Sequence, residues 1–141
     1  TGALVIGPSS AHGLECLYGN NKEFSTKAGG VKLWGHSESI ITAVTSASNI
    51  TLDFSLSNHF SITMGHNIAF GNPTTESVGQ SGTIVLTQDG TGSRTAAWNA
   101  NFKWKGGTAP TLSTAAASVD RVDYIILSNG VIHAVATLDV K

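Results

Sequence analysis

Five histidines, His12, His36, His59, His66 and His133, are the side chains of this sequence best suited to bind a metal or move a proton. None stands in an HxH, HExxH or Cys/His pattern with metal-ligand spacing. His36 and His133 remain candidates for an ion on a symmetry axis if copies assemble around one; the simpler reading of each is an ordinary loop or strand imidazole. Asp120 and Asp123 are three apart, so in a strand they face opposite ways, whereas glycoside hydrolysis needs two carboxyls converging on one bond. Asp53 and Asp139 could meet only through the fold. Asp120 suits a simpler role, accepting backbone or Arg121 hydrogen bonds at a strand start. Ser81 lies between glycines, but GxSxG and its strand-to-helix context are missing, so a turn is expected. Gly90-Thr91-Gly92 lacks the third glycine and the helix of a dinucleotide loop. Cys16 is the single cysteine. It can form no internal disulfide, has no base nearby, and suits a small buried hydrophobe. No catalytic residue, metal or cofactor is therefore expected, and the chain reads as non-enzymatic.

Binding chemistry has better candidates. Trp34, Trp98, Trp104, Tyr18 and Tyr124 could stack on sugar faces if exposed. Trp98 and Trp104 flank Asn99, Asn101 and Lys103, a mix suited to glycan hydroxyls. The competing reading, which we favour, makes Trp34, Trp98, Phe102 and Trp104 core or subunit-interface anchors, because large aromatics dominate burial energetics. Polar loop residues Asn58, His59, His66, Asn67 and Asn129 are then the candidate contacts for a glycan or a receptor.

The elements that must position these residues read as strands. The chain has 141 residues, 40% hydrophobic and only 12% charged, with a net charge of −1. Low charge with ample apolar content is unlike a solvated disordered chain. Ser, Thr, Asn and Gly suit tight turns between pleated strands. The six Lys and two Arg are scattered, so the basic stripe of a nucleic-acid binder is missing. No apolar run approaches bilayer length, so no membrane insertion is expected. No signal peptide is apparent, and Thr1 suggests a fragment or a processed chain.

Up to about residue 37 the apolar runs are short. Residues 3–6, 14–18, 23–26 and 31–34 each end at turn residues. Such runs bury too little alone, and a shaft of several interwoven chains would complete them. From residue 38 the strands lengthen. Ile50, Leu52, Phe54 and Leu56 alternate with polar residues, as do Phe60, Ile62 and Met64, and the two runs read as a hairpin. Asp89-Gly90 predicts a hairpin between 83–88 and 94–98. Asn129-Gly130 predicts a type I′ hairpin between 122–127 and 131–138. In the last arm both faces carry apolar residues, which predicts cover on both sides. Residues 108–117 read as a long loop, and no helix of normal length is expected. The fold class is all-β: a short-strand, shaft-like segment over 1–37, then an antiparallel, jelly-roll-like β-sandwich over 38–141.

Several segments are similar to a known family. Val78-Gly79-Gln80-Ser81-Gly82-Thr83, then Leu86 through Thr95 (LTQDGTGSRT), then Trp104 through Thr114 (WKGGTAPTLST), resemble ordered motifs of phage tail-fibre and related virion proteins. Val119-Asp120-Arg121-Val122-Asp123-Tyr124 fills the place of the strand that follows there. Ile50 to Asn72, ending at the Asn-Pro turn, also resembles that family, and residues 1–36 are similar to the strand units of fibre shafts. The resemblance implies a homotrimeric, elongated, non-enzymatic virion component. It would be the distal part of a tail fibre, associated with other virion proteins and contacting host cell-surface glycan or protein. A capsid-bound decoration or head-fibre protein is the first alternative, and a glycan-degrading tailspike tip the second.

Overall fold

The computed structural model describes residues 36–141 in full and, ahead of them, the backbone of four strands: β1 (Gly7–Pro8), β2 (Leu14–Tyr18), β3 (Asn21–Lys27) and β4 (Gly30–Leu33). Consecutive strands pair antiparallel in the order β1-β2-β3-β4. The register slips once, between Cys16 and Leu17. The expected run at 3–6, His12 and the proposed anchor Trp34 lie outside the described residues. The chain divides into two compact units, Thr1–Glu38 and Ser39–Lys141.

The second unit is built from nine strands. They are β5 (Ile41–Ala43), β6 (Asn49–Ile50), β7 (His59–Met64), β8 (Ile68–Phe70), β9 (Ser81–Gln88), β10 (Ala96–Trp98), β11 (Phe102–Lys103), β12 (Val119–Ser128) and β13 (Val131–Thr137). A six-stranded sheet runs β11-β13-β12-β9-β7-β5, and a three-stranded sheet runs β10-β8-β6. Apart from a 3-10 turn at Lys105–Gly107, no helix occurs among the described residues.

All-β holds, but the expected antiparallel arrangement does not. From β5 to β11 successive strands alternate between the two sheets. Each sheet therefore receives strands travelling in the same direction. β5, β7 and β9 are mutually parallel, as are β6, β8 and β10, and β11 runs parallel to β13. Only β9–β12 and β12–β13 are antiparallel in this unit. Two expected hairpins are overturned for this reason. The 50–56 run crosses from β6 into a turn that exposes Leu56, instead of pairing with β7. The Asp89-Gly90 turn sends the chain from β9 to β10 in the other sheet. Turn residues reverse a chain; they do not dictate whether the returning strand pairs with the one it left.

The last hairpin forms, with a different turn. Gly130 takes φ 74°, while Asn129 is absent from the left-handed residues. A type I′ turn needs positive φ at both central positions. Here the ladder shifts register between Ile126 and Ser128 instead.

Alternation decides the core. Phe60, Ile62 and Met64 of β7, Ile84 and Leu86 of β9, Val122, Tyr124 and Ile126 of β12, and Ile132 and Ala134 of β13 all point to one side and are buried. Ile50, Leu52, Phe54, Ile68, Phe70, Phe102 and Leu112 join them in a single cluster that draws on both sheets. Each large side chain fully buried here stabilises by about 1.5–3 kcal/mol before entropy is charged. The opposite face of the six-stranded sheet is open. Val135 is 65% exposed, Leu127 47% and Ile125 43%, so the expected cover on both sides of β13 is not supplied by the described residues.

Candidate functional site

Strand directions give the second unit two ends. At the first end β7 and β9 start and the β12–β13 turn lies beside them; at the second, β7 and β9 stop, β12 starts and β13 finishes. The chain enters at the first end, since Ile41 lies beside His59.

Asn58, His59 and Asn129 fall at the first end, and His66 and Asn67 at the second, so these five candidates do not form one site. Most of them hold loops together. The Asn58 side chain accepts from Gln80 Nε2 at 2.9 Å. Its carbonyl accepts from the Tyr124 hydroxyl at 2.8 Å and from Thr83 N–H at 3.1 Å. His59 Nδ1 lies 2.9 Å from Thr83 Oγ1. His66 Nδ1 lies 3.1 Å from Ser46 Oγ, and Asn67 Oδ1 accepts from Thr95 N–H at 3.0 Å. Asn129 is exposed at its turn.

Trp98 and Trp104 gather in one aromatic stack. Phe70 and Trp98 lie nearly parallel with centroids 4.3 Å apart. Trp98 meets Phe102 at 4.9 Å and Trp104 at 5.1 Å, both edge to face. Offset-parallel and edge-to-face pairs are the favoured aromatic geometries. Trp98 and Trp104 are partly buried and pack on the core, which leaves little of either ring for a sugar.

The carboxylates are engaged singly. Asp120 is buried and accepts from Ser113 N–H (2.8 Å), Ser113 Oγ–H (2.7 Å) and Asp139 N–H (2.9 Å). Asp123 faces the other way and pairs with Arg121. Asp53 accepts from Ser55, whose hydroxyl, with that of Thr75, holds the Asp53 carboxyl below the usual range. Asp89 accepts from Arg94 at 2.7 Å and from the amides of Thr91 and Gly92. The Arg94 hydrogen bond, then that of Gly92, keeps the Asp89 carboxyl below its ordinary value. His36 and His133 are exposed, with Ile125 opposite His133 in the ladder. Ser81 opens β9 and Gly90-Thr91-Gly92 is a turn closed by Asp89. Among the described residues no cluster of three or more His, Cys, Asp or Glu could hold a metal.

Sequence reasoning missed two glutamines. Gln88 is buried; its side chain accepts from Arg94 N–H and donates to the carbonyls of Arg94 and Ser113. Gln80 donates to Phe54 O and Asn58 Oδ1, fastening the first end. The signal for Gln88 was present: it continues the inward phase of Ile84 and Leu86, where a polar side chain must find partners.

Residues 41–131, more than half of the chain, match the family model described as "Putative phage tail fibre C-terminal domain". The chain belongs to this phage tail-fibre family, and its place is the tail of the virion. No curated protein and no solved structure matches it.

Proposed function

We propose that this chain forms the distal part of a tail fibre, works as a homotrimer, and contributes the contact with a host cell-surface glycan or protein. The two sheets sharing one core are read as a sandwich-type head over 38–141, preceded by the shaft-like segment over 1–37. The role is mechanical and adhesive, without catalysis.

One observation carries the trimer. Ile40, Ile41, Leu56, Val78 and Leu127 are 47–77% exposed, and all lie at or beside the first end; Ile125 and Val135 continue the apolar surface over the open sheet face. Monomeric proteins seldom leave so much large apolar surface in one region. Copies related by a symmetry axis would cover it and shield the β5 edge from non-specific strand pairing. Light scattering and native mass spectrometry of the full chain should give a mass three times that of one chain. A monodisperse monomer would remove the trimer. Attachment is tested separately, by asking whether the purified chain adheres to host cells and blocks phage adsorption.

A further inference from the structure

The second end of the C-terminal unit holds a depression of about 380 Å3. One wall is the Ser113–Ser118 stretch before β12, and the other is the turn at Asp139–Lys141. Asp120 ties the walls together. Its buried carboxylate takes two hydrogen bonds from Ser113 and one from the Asp139 amide. The cup is thus fixed to a β-strand rather than left to loop flexibility, as a binding site requires.

Two residues of its lining, Ala117 and Asp139, and one beside it, Ser93, take left-handed backbone. Ser93 (φ 61°), Ala117 (φ 58°) and Asp139 (φ 51°) are the non-glycine residues with left-handed backbone among those described. All three belong to this end: Ser93 N–H donates to Thr114 O at 2.8 Å, Ala117 N–H to Asp89 O at 3.3 Å, and Asp139 N–H to Asp120. Such conformations cost on the order of 1–3 kcal/mol each and concentrate where shape serves a function. The sequence uses glycine freely, 16 times, yet not at these positions.

The lining has the chemistry of a sugar site. The methyl groups of residues 115–117 and the side chains of Val119 and Val140 offer a small apolar surface, and Thr114 adds an exposed hydroxyl. At the rim, Asp139 and Lys141 pair at 2.7 Å with 49% and 83% of their side chains exposed. A carboxylate accepts from two neighbouring hydroxyls and an ammonium donates to a third oxygen. The volume falls in the small-ligand range, room for a sugar ring rather than a protein segment. Within the C-terminal unit the cup lies at the end opposite to the start of β5.

We propose that this cup is a saccharide subsite, with Asp139 accepting from a vicinal diol, Lys141 donating to a ring or hydroxyl oxygen, and Ala115–Ala117 lying against the C–H face. The inference rests on the host-attachment reading and adds a location and a ligand class to it. Without an aromatic platform one subsite binds weakly, in the millimolar range, and repeated copies of the chain raise the avidity.

The test is titration of the 15N-labelled full chain with glucose, galactose, N-acetylglucosamine and L-rhamnose. At least one sugar should shift the amides of residues 113–119 and 139–141. The doubly substituted chain Asp139→Asn, Lys141→Met, with its remaining spectrum unchanged, should bind about tenfold or more weakly. Thr114→Arg, which fills the cup from an exposed position, should do the same. If none of the four sugars moves these amides, or if both altered chains bind as well as the wild type, the site is refuted. Adhesion of the labelled chain to host cells separates the two readings. Wild-type adhesion matched by both altered chains refutes the cup and leaves attachment standing. Sugar-induced shifts with no adhesion keep the cup and refute attachment.

Discussion

The hydroxyl of Ser113 lies 2.7 Å from one carboxylate oxygen of Asp120, and the Ser113 amide nitrogen lies 2.8 Å from the other. With the Asp139 amide added, a single buried carboxylate closes the long 104–118 connection and the C-terminal turn onto the first residues of β12. Asp120→Asn keeps the volume but turns an acceptor into a donor that faces N–H or O–H groups. We expect a loss of about 3 kcal/mol, since a buried mismatch costs far more than a net hydrogen bond gives. Asp123→Asn, which breaks only the exposed pair with Arg121, should change stability by less than about 1 kcal/mol. Urea unfolding of both at one protein concentration decides it, and equal losses would contradict the clamp.

A second expectation concerns the closest approach in the fold. A Cβ on Gly82 would lie 1.7 Å from the Asn58 carbonyl oxygen and 2.9 Å from the Tyr124 hydroxyl. The backbone atom cannot move without breaking the Thr83 N–H to Asn58 O bond. Gly82→Ala should therefore fail to yield folded protein. Tyr124→Phe leaves the packing and removes only the bond to Asn58 O, so it should fold with a loss of about 1–2 kcal/mol. Soluble yield and thermal unfolding report both, and a stable Gly82→Ala chain would show that the crossing is looser than this.

The burial phase of most strands was legible from apolar alternation. Phe60, Ile62 and Met64, and Val122, Tyr124 and Ile126, point inward as the period-2 pattern requires. Pairing partners were not legible. Nothing local to Asp89-Gly90 distinguishes a hairpin from an arch into the other sheet, because the choice depends on where β8 and β12 wait. The candidate loop residues were chosen one by one for polarity, and their division between two ends is a property of the topology alone. The cup was least visible. Its parts, residues 113–119 and 139–141, are separated by the whole β12–β13 hairpin, and its key carboxylate, Asp120, reads in sequence as one polar residue at a strand start. The left-handed backbone at Ser93 and Ala117 leaves no mark either, because neither residue type announces positive φ as a glycine would, and Asp139 carries only the mild preference of an aspartate.

The aromatic stack separates folding from binding. Trp98 sits among Phe70, Phe102 and Trp104, and Trp104 touches only the edge of that group. Trp98→Ala should cost about 3–5 kcal/mol, and Trp104→Ala somewhat less, with assembly failing before adhesion does. The Trp104 indole N–H is buried without a partner among the described residues, so Trp104→Phe forfeits no such bond and should be milder than the alanine change. Yield of assembled protein, compared with adhesion per assembled particle, separates the roles. Normal assembly with adhesion lost in Trp104→Ala would make that ring a contact residue.

Acid sensitivity should trace in part to Asp89, which closes the turn carrying the chain from one sheet to the other. The Arg94 guanidinium and the Gly92 and Thr91 amides favour its ionised form in the folded chain, and nothing comparable does so after unfolding. The folded carboxyl therefore holds its proton less tightly than the unfolded one. Its contribution is complete above the unfolded value of 3.8 and is lost as pH falls through the lower, folded value. Asp89→Asn should be less stable than the wild type at neutral pH, and the gap between the two urea midpoints should narrow as the medium is acidified. Asp53, lowered by its own hydroxyl partners, titrates in the wild type and in the altered chain alike, so some acid dependence persists in both. Parallel midpoint curves down to the acid limit would mean that the turn is held by its amide geometry and not by the charge of Asp89.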